Sequence, residues 1–68
     1  MQVSTFFIKD ITGAEQIQNL EMLLTQLNGV ERALFDTDDH EIKIEYNDQL
    51  IELKSIVENI EGQGFKIQ

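Results

Sequence analysis

The side chains of this 68-residue chain best suited to chemistry lie in one short run: Asp36, Asp38, Asp39, His40 and Glu41. Carboxylates with an imidazole suit hard or borderline cations, so Asp36, Asp38, Asp39 and His40 are candidate ligands of a loose divalent-metal site. The spacing matches no EF-hand loop, because the mid-loop glycine and the terminal bidentate glutamate are missing. A solvated turn is the plainer reading of so short a charged run. His40 is the only histidine in the sequence and so the one side chain that ordinarily titrates near neutrality. No Ser-His-Asp set has a readable context, and no glycine-rich loop could cradle a phosphate. There is no cysteine. That excludes disulfides, thiolate metal sites and thiol catalysis together.

Charge narrows the partners. Thirteen acidic residues against five basic ones leave a net charge of −8. Nucleic acid is an unsuitable partner, since binding its backbone needs a basic face. A charged partner would be basic, and the plainer role of the acid is solubility. No apolar run is long enough to span a membrane, and Met1–Asp10 lacks the positive start and apolar stretch of a leader. The expectation is a cytoplasmic protein of one domain, residues 1–68, with a stability of roughly 3–5 kcal/mol, the usual yield of one small core.

The elements that must position these residues follow from periodicity. Val3 to Lys9 is rich in β-formers and reads as a strand. Thr12 followed by Glu15 has the spacing of a capping box, and Ile17, Leu20, Leu23, Leu24 and Leu27 recur at helical steps. Asn28-Gly29 closes that helix, with Gly29 suited to the left-handed position after its end. Val30 to Asp36 reads as a second strand with an irregularity near Arg32. The 37–40 segment is a turn, and Ile42, Ile44 and Tyr46 alternate with Lys43 and Glu45 as a third strand. Leu53, Ile56, Val57 and Ile60 mark a second helix ended by Gly62 or Gly64, and Phe65-Lys66-Ile67 a last short strand. The order β-α-β-β-α-β predicts an α+β, ferredoxin-like sandwich. Its four-stranded antiparallel sheet runs in the order 4-1-3-2 with both helices on one face. Loops 10–14, 37–40 and 61–65 then share one end, beside the positive end of the first helix.

These residues resemble the heavy-metal-associated domain of copper chaperones and metal-transporting ATPases over nearly the whole chain. Leu20, Leu24, Leu27 and Gly29-Val30 resemble its first helix and exit. Ala33 and Phe35 match its second strand, Ile42, Ile44 and Tyr46 its third, and Ile56, Ile60 and Gly64-Phe65 its second helix and closing glycine-aromatic pair. The family carries Gly-Met-Thr-Cys-x-x-Cys between the first strand and first helix. Counting back from Gly29-Val30 sets that motif on residues 10–16, where Ile11 stands for the buried methionine and Thr12 is kept. Gly13 and Gln16 then occupy the two cysteine positions. Glycine offers no ligand and glutamine only a neutral amide oxygen, a poor match for a soft ion such as Cu(I). The resemblance implies the fold without the ligands, and no Cu(I) site. Phe65 matches an aromatic packed near the metal loop in many members, although core packing explains it as simply.

The resemblance also points Ile8 inward, which turns Phe7 to the helix-free face of the sheet. Leu34 shares that face, with Val3 as a further candidate there, so Phe7 and Leu34 are candidate interaction residues. Phe6, Ile8, Phe35, Ile44 and Ile60 are expected in the core. Three functions stay open. The first is a non-catalytic binding module acting through a protein partner or a homodimer, linked by family analogy to cation transport. The second is a weak divalent-metal binder using the 36–41 turn and the 10–16 loop. The third is a small regulatory or ligand-binding domain of the same topology. An acylphosphatase-like enzyme shares the architecture but needs an arginine in the first loop, and the only arginine is Arg32.

Overall fold

The computed structural model describes all residues from 1 to 68. The elements are β1 (Gln2–Phe7), α1 (Ala14–Thr25), β2 (Val30–Asp36), β3 (Glu41–Tyr46) and α2 (Leu53–Gly62). The sheet is antiparallel with β3 at its centre, in the order β1-β3-β2. That is the expected order without its fourth strand. Residues 65–67 do not form a strand; Ile67 meets Ile8 in a single bridge, and the Gln68 N–H donates to the Phe7 carbonyl at 3.0 Å. On the other side of that bridge the Lys66 N–H, which a continued ladder would direct to Lys9, goes instead to the Asp10 carboxylate at 3.3 Å.

Alternation along β3 sorts the sheet into two faces. Ile42, Ile44 and Tyr46 are buried and stand opposite Phe35, Ala33 and Val30 of β2. With Ile8, Ile11, Leu20, Leu24, Ile56 and Ile60 they make one core between the sheet and the two helices. Phe6 and Phe35 are packed against this core but only partly buried, unlike Ile8, Ile44 and Ile60. β1 and β2 are the outer strands of a three-stranded sheet, so each aromatic lacks cover on one side.

The irregularity of β2 is a bulge between Val30 and Arg32. It lets Glu31 point to solvent without moving Val30 or Ala33 off the buried face. α1 ends earlier than its leucine spacing implies, at Thr25, with Gln26 as its cap, so Gly29 is not the residue that closes it. Gly29 is nonetheless left-handed, at φ +106°, and a Cβ there would stand 2.7 Å from Ile51 Cγ2. The backbone turns into β2 through a gap that only glycine fits.

The capping box fails in its expected form. Gly13, not Thr12, is the N-cap of α1, and no side chain bonds to the cap. The partner of Thr12 is Gln16: its amide oxygen accepts the Thr12 N–H at 2.9 Å and the Thr12 hydroxyl at 3.4 Å. The reach of the helix's third residue back over its start is kept, one residue further along than Thr12 and Glu15 suggest.

Candidate functional site

At the loop end of the sandwich the chain passes from Ile8 through 9–13 into α1. Ile11 is buried beneath this loop, as the resemblance implies. Gly13 has extended backbone, φ −125° and ψ 152°, and open space where a Cβ would be. Gln16 is exposed one turn into α1, and its amide oxygen is already held by both donors of Thr12. Gln16 and Asn19 line one wall of a groove whose other side is made by Gln63 and the half-buried Phe65. Phe65 packs on the core from the side of this loop. The loop is therefore tied to the first turn of the helix by a side-chain amide. This set of donors is neutral oxygen and nitrogen, which does not fit a soft monovalent ion.

The 36–41 turn lies at the same end, since the Ile8 N–H donates to the His40 carbonyl at 2.9 Å. Its side chains do not converge. One Asp36 oxygen accepts the Asp38 N–H at 2.9 Å, folding the carboxylate onto its own turn. His40 takes a left-handed backbone, φ 56°, and its ring lies 6.2 Å from that of Phe35 at a tilt of 44°. No three His, Asp or Glu side chains anywhere in the molecule are grouped to hold a metal ion. The divalent site expected at Asp36, Asp38, Asp39 and His40 is not assembled, because a tight turn spreads consecutive side chains outward. The turn and the 10–16 loop are not joined into one site either.

Phe7 and Leu34 fall on the helix-free face as expected, 47% and 46% exposed, with Val3 at 52%. They do not touch across the sheet. Phe7 stands opposite Glu41, and Leu34 opposite Lys43, whose other neighbour is Thr5. The face is apolar islands set among charges. A shallow groove on it is lined by Thr5, Leu34, Asp36, Asp39, Glu41 and Lys43. Two contacts escaped the sequence reading. The Thr12–Gln16 tie keeps only half of a capping box, the side chain that reaches back to an N–H before the helix, and a glutamine four residues after Thr12 was the available signal. The other joins Glu21 to the backbone of Phe35 at 2.8 Å, from helix to sheet edge, and no sequence pattern announces it.

Comparison with known proteins adds to this geometry. No family profile matches the chain. The copper chaperone CopZ of Staphylococcus epidermidis is 35% identical over 49 residues, covering 72% of each chain. The corresponding protein of Staphylococcus haemolyticus is 31% identical over the same length. Among solved structures, a CopZ metallochaperone superposes with a TM-score of 0.92 at 16% identity, covering 98% of this chain and 100% of that one. The N-terminal domain of a potential copper-translocating P-type ATPase from Bacillus subtilis, in its Cu(I)-loaded state, gives 0.90 at 23% identity, covering 97% and 82%. At these identities the superpositions establish the fold, which is that of the heavy-metal-associated domains. No helix of the chain is long and apolar enough to cross a membrane.

Proposed function

The chain belongs to the copper-chaperone family of heavy-metal-associated domains, and from that premise we propose that it is a non-catalytic member that works through protein contacts instead of carrying Cu(I). The observation that carries this reading is the Thr12–Gln16 tie. Where the family holds its ion between two sulfurs, this chain has a glycine without a ligand and a glutamine whose oxygen is occupied by the loop itself. A hydrogen bond between loop and helix takes over the task of ordering the loop, which a bound ion would otherwise share.

What remains for function is the surface. The net charge of −8 favours a basic partner, and Phe7 and Leu34 supply apolar contact on the helix-free face. Its relatives suggest that the partner belongs to a cytoplasmic metal-transport system.

Two measurements test the reading. In competition with a Cu(I) chelator, all copper should remain on the chelator; retention of one ion per chain overturns the loss of carriage. In a titration followed by NMR, the N-terminal domain of the Bacillus subtilis ATPase serves as the partner probe. Shifts should spread around Phe7 and Leu34 and disappear in Phe7→Ser/Leu34→Ser. An unchanged spectrum, or shifts confined to the 10–16 loop, overturns the assignment of that face.

A further inference from the structure

The outer edge of β2 matches itself. The Ile8 N–H donates to the His40 carbonyl, which sets the hydrogen-bonding phase of the sheet: even-numbered residues of β1 bond to even-numbered residues of β3. The odd-numbered Glu41, Lys43 and Glu45 then bond to their partners Asp36, Leu34 and Arg32 on β2. Ala33 and Phe35 are left with their N–H and C=O groups directed away from the sheet. The Glu21 contact agrees with this phase, since the Phe35 N–H reaches out of the sheet to a carboxylate of α1 at 2.8 Å.

An edge with free donors and acceptors invites another strand. A second copy of β2, antiparallel and centred on Leu34, fits in phase. Ala33 would face Phe35 of the other copy in a hydrogen-bonded pair, and the reverse by symmetry. On the helix-free face Leu34 would meet Leu34, and Arg32 would meet Asp36 on both sides of the dyad. These are the close, non-hydrogen-bonded pairs, where side chains interact best. The contact is isologous and closes at two copies. No strand covers the edge: α1 flanks it, and the groove between them is lined by Gln18, Glu21, Met22, Thr25 and Ala33, with Met22 58% exposed.

We propose that β2 is a self-pairing edge held shut by Glu21. Its carboxylate occupies the Phe35 N–H that both symmetry-related bonds of the dimer require. With Glu21 in place the chain does not pair through β2; without it, two copies join into one continuous sheet. The inference stands on the edge geometry and does not depend on what partner the helix-free face takes.

The test is Glu21→Ala, which keeps a strong helix former in α1. Sedimentation should show a dimer whose dissociation constant is at least about a hundredfold below that of wild type, because two charged contacts, each worth on the order of tenfold, no longer oppose pairing. Glu21→Gln keeps an oxygen acceptor and should stay monomeric. Adding Asp36→Arg to Glu21→Ala should abolish the dimer by setting Arg32 against a like charge, and adding Arg32→Asp as well should restore it. Glu21→Leu, which also lacks an acceptor, serves if alanine unfolds the chain. A folded variant that stays monomeric at millimolar concentration overturns the proposal. So does a dimer indifferent to the charge swap, or an open-ended polymer.

Discussion

Restoring cysteines at Gly13 and Gln16 tests the register on which the functional reading depends, and the structure sets the size of each effect. Gln16→Cys removes the acceptor of the Thr12 N–H, an exposed hydrogen bond worth about 0.5–1.5 kcal/mol. Gly13→Cys works the other way. Its backbone is extended, an ordinary conformation for any residue, and nothing lies within 4 Å of the added Cβ. Replacing glycine at such a position restricts the unfolded chain and adds about 0.4–1 kcal/mol. The two nearly cancel, so the double variant should unfold in urea within about 1 kcal/mol of wild type, out of a total of roughly 3–5 kcal/mol. Three residues apart on the first turn, the two sulfurs lie on one face near the positive end of α1, which favours thiolates. The double variant should therefore take one Cu(I) from a competing chelator, and each single variant should bind far more weakly. Binding should weaken as pH falls, because protons compete for both sulfurs. A double variant that unfolds like wild type but takes no more copper refutes the register.

Three further outcomes follow from the packing. Gly29→Ala combines a left-handed backbone with a Cβ 2.7 Å from Ile51, so it should cost at least about 1–3 kcal/mol and lower the urea midpoint. Ile44→Ala empties a fully buried site in the central strand, and its cost of about 2–5 kcal/mol would leave much of the chain unfolded at room temperature by circular dichroism. Phe7→Ser, on the open face, should change stability by less than about 1 kcal/mol; a variant that unfolds would show that Phe7 is a core residue after all.

Much of the architecture was legible in the chain because burial leaves a period in sequence. Ile42, Ile44 and Tyr46 alternate, Leu20 and Leu24 repeat at a helical step, and these residues are buried where the pattern points. The exposure of Phe7 and Leu34 follows from the same alternation once one inward residue is fixed. Local patterns failed where two acceptors compete for one donor, or where a segment needs a distant partner. Thr12 and Glu15 have the spacing of a capping box, yet Gln16 makes the contact, since the helix starts one residue later than the motif implies. Phe65-Lys66-Ile67 has the composition of a strand, but Asp10, fifty-six residues away in sequence, takes the donor that would extend the ladder. The acids of 36–41 are adjacent in sequence but form no group that could hold a metal ion, and Asp36 turns back on its own backbone. The sequence by itself determined the order of elements, the buried residues and the absence of any sulfur ligand, all of which depend on residue type and local period. The tertiary structure alone decided that β1 and β2 are the outer strands and that Glu21 bonds to the outer edge of β2, because a hydrogen bond between helix and strand exists only after the fold has brought the two together.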